Sequence, residues 1–208
     1  MKRYYYLSVM GTIGSGKTTV ARLLSKDLKF KLLEENFGEN AFLPRFYNDM
    51  KRWAFHSQAF FLMEKITQLL TTPELLAKHS VVQDTPIEQD VFSYAKAQHV
   101  LGNIDDAEWR LYLKIYRSFE PLFPTPSLII FLDTTLESIG SRIESRGRGY
   151  EMKIPDSYLE LLDMLNRKWL SDNKKIPVLS IKTDGLDIVR SPKAREELVN
   201  TVRKRLRL

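Results

Sequence analysis

Near its amino terminus the chain reads Gly11-Thr12-Ile13-Gly14-Ser15-Gly16-Lys17-Thr18, which matches the phosphate-loop pattern G-x-x-x-x-G-K-[ST]. An apolar, β-prone segment precedes this loop, and apolar residues at helical spacing follow it, as the pattern requires. The glycines allow backbone N–H groups to turn around phosphate oxygens at a helix amino terminus, which favours anions. The loop, extended to Thr19, is therefore predicted to bind a nucleoside triphosphate, with Lys17 at the β- and γ-phosphates and the Thr18 hydroxyl on Mg²⁺.

The composition restricts the class of protein. With 208 residues the chain is predicted to form a single domain over residues 1–208, large enough to bury a substantial core. It contains no cysteine, which excludes disulfide scaffolds and thiolate chemistry and is typical of a cytoplasmic protein. No apolar stretch of the sequence is long enough to cross a membrane, so no membrane partner is expected.

The formal net charge of +6 raises the question of nucleic-acid binding. Much of the excess lies in four cations near the carboxyl terminus, Arg203, Lys204, Arg205 and Arg207. The apolar residues between them share one helical face, and cations in a last helical turn are favoured by the helix dipole. We interpret this cluster as a solvated helix end and expect no nucleic-acid partner.

Segments that favour strands alternate along the chain with segments that favour helices. Strands are predicted at residues 4–10, 30–34, 81–84, 128–132 and 178–181. Helices are predicted after the phosphate loop, at residues 53–70 and 87–101, and from Asp105, residue 136, Pro155 and Pro192. Residues 36–48 look irregular, and Pro73 is expected to end a helix. The alternation predicts an α/β fold of three layers, with a five-stranded parallel sheet between helices and ligands at the carboxyl ends of its strands.

Two acidic residues follow predicted strands at that edge of the sheet. Glu35 is a candidate to accept the proton of an attacking hydroxyl, although a capping or solvated role and the adjacent Glu34 leave the choice open. Asp84 ends an apolar strand, like the acidic residue of a Walker-B element, and is predicted to hold Mg²⁺ through water together with Thr18.

Basic residues form a second cluster further along the chain. Arg142, Arg146 and Arg148 are interleaved with Gly147 and Gly149. A flap that closes over transferring phosphates needs both cations and flexibility, so an Arg-rich lid is predicted at about residues 142–153. The alternative is a solvated basic helix end.

Two polar residues interrupt the apolar helix predicted at residues 53–70. Gln58 and Lys65 lie two turns apart on one side of it, where polar groups must be paired or line a cavity. Each is therefore a candidate binding residue or a satisfied core residue. His56, His79 and His99 lack metal-ligand spacing.

These motifs, in this order, resemble those of the deoxynucleoside kinases of the deoxycytidine, deoxyguanosine and deoxyadenosine kinase type. The run from Phe46 to Phe55, after Phe42-Leu43, is similar to the family's "N-P-F-L … F-Y-x-D-P-x-R-W-A-F". The segment from Gln83 to Lys96 resembles "D-R-S-x-x-x-D-x-x-x-F-A-K". The stretch from Arg142 to Glu151, followed by Ile154-Pro155, resembles "R-I-x-x-R-G-R-x-x-E … I-P".

The resemblance implies the three-layer P-loop kinase fold. It also implies an ATP-dependent, Mg²⁺-requiring enzyme that phosphorylates the 5′-hydroxyl of a deoxyribonucleoside and forms a homodimer. Position by position, the resemblance makes Glu35 the catalytic base that accepts the proton of the 5′-hydroxyl. It assigns contacts with the sugar 3′-hydroxyl to Tyr47 and Glu151, and contacts with the nucleobase to Gln58, Lys65 and Asp90. The phosphate contacts fall to Arg142, Arg146 and Arg148. A carboxylate at position 90 accepts hydrogen bonds, so a purine deoxynucleoside or deoxycytidine is expected to be preferred over thymidine.

The chain also departs from the family pattern. Thr85-Pro86 replaces the Arg-Ser that follows the acidic residue, and Lys65 stands where an arginine is common. Pro86 is expected to hold Thr85 in an extended conformation. Two alternatives stay open. One is a kinase of another small acceptor, such as a nucleoside monophosphate. The other, suggested by the missing arginine, is a nucleotide-binding regulator without catalysis.

Overall fold

The computed structural model describes residues 4–35, 37–147 and 154–207, in which five strands form one sheet. The strands are β1 Tyr6–Met10, β2 Lys31–Leu33, β3 Val81–Asp84, β4 Leu128–Asp133 and β5 Val178–Lys182. Their order across the sheet is β2-β3-β1-β4-β5, and every neighbouring pair is parallel. The predicted α/β fold with a five-stranded parallel sheet is confirmed.

Helices connect the strands. They are α1 Lys17–Leu28, α2 Leu43–Asn48, α3 Met50–Leu76, α4 Ile87–Gln89, α5 Lys96–Val100, α6 Asp106–Phe119, α7 Leu136–Arg146, α8 Asp156–Asp172 and α9 Pro192–Leu206. Short 3₁₀ turns cover Phe37–Glu39 and Glu120–Leu122. No helix in the described ranges is both long enough and apolar enough to span a membrane.

Alternating residues of the central strands pack on opposite faces of the sheet. Leu7 and Val9 of β1 lie in a core with residues of α1 and α9. Tyr6, the residue before Leu7, lies in a second core with residues of α3 and α6. Side chains of successive strand residues point to opposite faces, so a sheet covered on both sides has apolar residues at nearly every position. The sheet is therefore the middle of three layers.

Two local predictions were wrong. Residues 43–48 form α2 instead of an irregular segment, with Pro44 in the first turn, where a missing N–H costs nothing, and Phe46 buried. Helix α3 begins at Met50, capped by the Asp49 side chain, and continues through Pro73. Leu75, beyond that proline, packs against the core shared with α6, and this burial keeps the chain helical.

The predicted helix at residues 87–101 is interrupted by a wider turn. Asp90–Ala95 is π-helical and continuous with α4 before it and α5 after it. Such single π segments are frequent at functional sites because they redirect the side chains that follow them. This turn carries Asp90 and Tyr94 at the carboxyl edge of the sheet.

Candidate active site

The phosphate loop joins β1 to α1 as predicted. Gly14 and Gly16 have φ of 82° and 99°, a region that favours glycine. A Cβ at Gly14 would lie 3.1 Å from the carbonyl oxygen of Ile139 and from Cγ1 of Ile143, both in α7. Glycine at this position therefore allows the loop to pack directly against the helix that leads into the predicted lid.

A buried glutamine braces the start of the loop. The Nε2 of Gln89 donates to the Gly11 carbonyl at 2.6 Å, and its Oε1 accepts from the Gly11 N–H at 3.2 Å. The Ser15 N–H donates to the Thr12 carbonyl at 3.0 Å, which closes the turn. Gln89 was not among the predicted site residues. The sequence marks it only as a polar residue between the apolar residues Ile87 and Val91.

Lys17 lies along the loop. Its Nζ donates to the Gly11 carbonyl at 2.9 Å, to the Thr12 carbonyl at 3.4 Å and to the Tyr94 hydroxyl at 3.1 Å. Burial lowers the pKa of Lys17, and the nearby carboxylates of Asp84 and Glu35 oppose that shift. The Tyr94 hydroxyl is a contact that sequence reasoning missed, because the residue was matched only as a counterpart of phenylalanine.

Thr18 and Asp84 meet, as expected of a shared metal site. Asp84 lies opposite Val9 in the register of β3 with β1, and its Oδ2 accepts from the Thr18 hydroxyl at 2.6 Å. Its other oxygen, Oδ1, is buried and has no hydrogen-bond partner among the described residues. Those residues contain no group of three histidines or carboxylates that would hold an ion alone. A hydroxyl beside an unsatisfied carboxylate oxygen fits Mg²⁺, which keeps several waters and shares its coordination with substrate phosphates.

Glu35 and Glu34, adjacent in sequence, have different surroundings. The Glu34 carboxylate forms an exposed ion pair with Arg22. The Glu35 side chain is 8% exposed, and its Oε1 accepts from Lys65 Nζ at 3.1 Å. Burial raises the pKa of Glu35, and the Lys65 ammonium opposes the rise. Of the two glutamates, Glu35 is the one that faces the predicted substrate site.

The turn after Asp84 differs from the extended conformation predicted from Pro86. Thr85 is fully buried with φ of 66°, in the left-handed region. Lys65 Nζ donates to the Asp84 carbonyl at 3.1 Å and to the Thr85 carbonyl at 2.8 Å. These hydrogen bonds outweigh the local bias of the proline, which therefore mispredicted the path of the backbone.

Asp90 lies on the first residue of the π turn and is 3% exposed. Its Oδ2 lies 4.0 Å from Lys65 Nζ and has no hydrogen-bond partner among the described residues. Burial raises the pKa of Asp90 well above the usual range, against the attraction of the Lys65 ammonium. A buried carboxyl group with an unsatisfied oxygen provides a hydrogen-bonding position for a ligand.

The basic cluster is only partly described. Arg142 donates to the Ser15 carbonyl at 3.0 Å, and to the hydroxyl and carbonyl of Thr183 at 3.1 and 2.6 Å. It thus joins the phosphate loop to the segment after β5. Arg146 is exposed at the end of α7 and borders the same cavity. Arg148, Glu151 and the rest of the predicted lid beyond Gly147 lie outside the described residues.

One cavity of about 560 Å³ collects most of the predicted site. Its walls include the predicted residues Ile13, Gly14, Ser15, Gly16, Lys17, Thr18, Thr19, Glu35, Tyr47, Gln58, Asp90, Arg142 and Arg146. Lys65 instead borders a smaller neighbouring cavity of about 230 Å³, together with Glu35. Phe61 and the segment after β5 also border the large cavity and were not predicted, because the sequence there carries no motif. The cavity therefore places a phosphate loop, a buried carboxylate and polar side chains within one space.

Comparisons with known proteins point to the same chemistry. A family model described as deoxynucleoside kinase matches residues 7–207. The chain is 33% identical over 198 residues to a deoxyadenosine/deoxycytidine kinase of Bacillus subtilis (strain 168), covering 94% of this chain and 90% of that one. It is 30% identical over 188 residues to a deoxyguanosine kinase of the same organism, with 88% and 89% covered.

A solved structure shares the fold. The deoxyadenosine kinase from M. mycoides with bound dATP superposes with a TM-score of 0.81, at 23% identity, covering 99% of this chain and all of that one (100%). Together these similarities favour a nucleoside acceptor over a nucleoside monophosphate or a regulator without catalysis.

Proposed function

Because the chain belongs to the deoxynucleoside kinase family, we propose that it transfers a phosphoryl group from ATP, with Mg²⁺, to the 5′-hydroxyl of a purine deoxynucleoside or deoxycytidine. The observation that carries this proposal is the shared cavity, in which the phosphate loop and the buried carboxylates of Glu35 and Asp90 face one space. A donor bound at the loop and an acceptor bound between the two carboxylates would meet there.

The donor is held by the loop and by cations around it. The loop amides and Lys17 neutralise the phosphates, as in other phosphate-loop enzymes. Thr18 and the unsatisfied Oδ1 of Asp84 would hold Mg²⁺, which supplies positive charge to the phosphate oxygens. Arg146, on the cavity wall, and Arg148 are proposed to add cations when phosphate is bound, and Arg142 to hold the loop from the other side.

Glu35 is proposed to accept the proton of the attacking 5′-hydroxyl. Its carboxylate is buried beside the cavity, and the raised pKa makes it a stronger acceptor than an exposed glutamate. Lys65 supports the ionised form from 3.1 Å away. Tyr47 lines the cavity and, with Glu151, is proposed to bind the sugar 3′-hydroxyl.

The nucleobase of the acceptor is proposed to lie against Gln58 and Asp90. Both side chains are buried and border the cavity, and Asp90 presents an unsatisfied oxygen. Adenine, guanine and cytosine carry N–H groups that can donate a hydrogen bond to this oxygen. Thymine instead presents a carbonyl at the position of the cytosine amino group. Leaving that carbonyl opposite Asp90 costs roughly 1–3 kcal/mol in unpaired polar groups. Thymidine is therefore expected to be a poor substrate.

A screen of the purified protein with Mg-ATP tests the reaction. All four deoxynucleosides, the ribonucleosides and the monophosphates are offered separately, and the products are separated by chromatography. Formation of deoxynucleoside 5′-monophosphates is the expected result. Phosphorylation of monophosphates alone, or ATP binding without turnover of any acceptor, would overturn the proposal.

The homodimer is proposed to form through α3. Met63 and Leu70 are 48% and 42% exposed, and with Thr67 they follow helical spacing along one face. We take these exposed apolar side chains as the centre of the subunit interface. Sedimentation analysis is expected to give a dimer that Leu70→Lys weakens. The control Leu122→Lys changes a leucine that is 58% exposed elsewhere and leaves the dimer intact. A monomeric parent protein would contradict the assignment.

A cytoplasmic location is proposed from the chemistry, since ATP is the donor and the sequence has no cysteine. Fractionation of the source cells, followed by the kinase assay on each fraction, tests it. Activity confined to the membrane or an exported fraction would contradict it.

A further inference from the structure

Lys65 is a buried lysine at the point where three parts of the site meet. Its side chain is 3% exposed, on the inner face of α3. Its Nζ lies 3.1 Å from Glu35 Oε1, 3.1 Å from the Asp84 carbonyl oxygen and 2.8 Å from the Thr85 carbonyl oxygen. It therefore bonds both to the candidate base and to the turn after β3, which carries the candidate metal ligand.

These three contacts use the whole hydrogen-bonding capacity of the side chain. An ammonium group has three N–H donors and no acceptor, and each of the three has an oxygen at hydrogen-bond distance. Asp90 Oδ2, at 4.0 Å, is beyond that distance. Lys65 consequently has no donor left for a nucleobase, although the resemblance assigns a base contact to this position.

The conformation of Thr85 explains why two consecutive carbonyls reach one ammonium. With φ of 66°, the residue turns its carbonyl toward the same side as that of Asp84. The left-handed region is unfavourable for a β-branched residue and persists only where the surroundings impose it. Here Lys65 bonds to the carbonyls on both sides of Thr85, and the Thr85 N–H donates to the Val9 carbonyl at 3.1 Å, so these contacts together impose the conformation.

We propose that Lys65 is a positioning residue for the phosphoryl transfer: it fixes the Glu35 carboxylate and clamps the turn that carries Asp84. The family pattern has an arginine directly after the acidic residue, and this chain has Thr85 at that position. In this proposal Lys65, which reaches the same turn from α3, positions Glu35 in place of that arginine. The proposal rests on the proposed function, because positioning Glu35 matters only if Glu35 is the base.

The test separates positioning from base recognition. Lys65→Met keeps the length of the side chain and removes its charge and donors. We expect kcat to fall at least about thirtyfold, while KM for the best deoxynucleoside changes by less than about threefold, because the lost contacts are to the protein and not to the substrate. A matched control is Lys51→Met, an exposed lysine on the same helix, which should change neither value.

A double-mutant cycle identifies the residue through which Lys65 acts. In a Glu35→Gln background, where the catalytic base is already lost, Lys65→Met should lower kcat by at least about threefold less than it does in the parent, because the part of the loss that acts through Glu35 disappears and only the part that acts through the Asp84 turn remains. If Lys65→Met lacks a native circular dichroism spectrum, the same cycle is run with Lys65→Arg. That variant keeps the charge, but its planar fork cannot match three convergent oxygens, so it should also lower kcat, and by more in the parent than in the Glu35→Gln background.

The outcomes distinguish this inference from the proposed function. A parent protein without nucleoside turnover refutes the proposed function itself. An active parent in which Lys65→Met raises KM tenfold and preserves kcat would make Lys65 a base contact and refute the inference alone. If Lys65→Met lowers kcat by the same factor in the parent and in the Glu35→Gln background, the inference that Lys65 positions Glu35 is refuted as well.

Discussion

Glu35→Gln removes the candidate base and preserves the shape of its side chain. Lys65 Nζ, 3.1 Å from Glu35 Oε1, can donate to the amide oxygen in the same place, so the arrangement of the site is retained. Loss of a positioned general base lowers a rate by roughly 10²–10⁴-fold, which corresponds to about 3–5 kcal/mol of activation free energy. We expect kcat to fall within this range.

The pH dependence of the parent enzyme provides a second measure of the same group. Burial raises the pKa of Glu35, and only the ionised carboxylate accepts a proton. The rate is therefore full above this pKa and is lost as the pH falls through it, at a higher pH than for an exposed glutamate. Glu35→Gln should lack this acid limb, because its side chain does not titrate.

The assay measures ADP release at saturating Mg-ATP with the best nucleoside, from pH 5 to pH 9. Glu34→Gln is the matched control, because Glu34 is the adjacent glutamate and its carboxylate forms only an exposed ion pair with Arg22. Exposed pairs contribute about 0–1 kcal/mol, so this control should keep the activity and the acid limb. A Glu35→Gln enzyme within threefold of the parent, or a Glu34→Gln enzyme with the larger loss, would refute the assignment of Glu35 as the base.

Further predictions concern the donor, the base, the turn and the lid. Lys17→Ala should lower kcat a few hundredfold, or about 3–4 kcal/mol, and near-normal turnover with a native circular dichroism spectrum would exclude the phosphate-loop assignment. Asp90→Asn, whose amide can donate to a carbonyl, should improve thymidine relative to deoxycytidine in kcat/KM, and an unchanged ratio would remove Asp90 from base selection. Thr85→Arg places a long side chain at a fully buried position, so the free energy of unfolding should fall by about 1–3 kcal/mol, and a kcat raised more than about tenfold would show an incomplete site. Arg146→Ala should lower kcat more than about tenfold, and a variant equal to the parent would make Arg146 a solvated helix end.

Strand and loop assignments were predictable from sequence because their signals are local. The phosphate loop is defined by residue types at fixed spacing, and the apolar runs that became β1, β3 and β4 lie near their predicted positions. Parallel connectivity then brings the carboxyl ends of the strands to one edge. For this reason Glu35 and Asp84, far apart in sequence, could be assigned to one site before any contact was known.

Local signals failed where packing overrides them. Pro73 favours the end of a helix, but burial of Leu75 against the core carries α3 past it. Pro86 favours an extended Thr85, but hydrogen bonds from Lys65 hold that residue at φ of 66°. In both cases a bias of the backbone is weaker than the contacts formed by residues distant in sequence.

The sequence by itself determined the fold class, the nucleotide-binding loop and the residue types available for phosphoryl transfer, because periodicity and motif spacing are properties of the chain. Only the tertiary structure decided which side chains meet. Glu35, but not Glu34, accepts a hydrogen bond from Lys65, and all three N–H donors of Lys65 bond to protein oxygens. Arg142 donates to the Ser15 and Thr183 carbonyls. Hydrogen bonds depend on ångström-scale distances between atoms of different elements, and the packing of α3 and α7 against the sheet determines those distances.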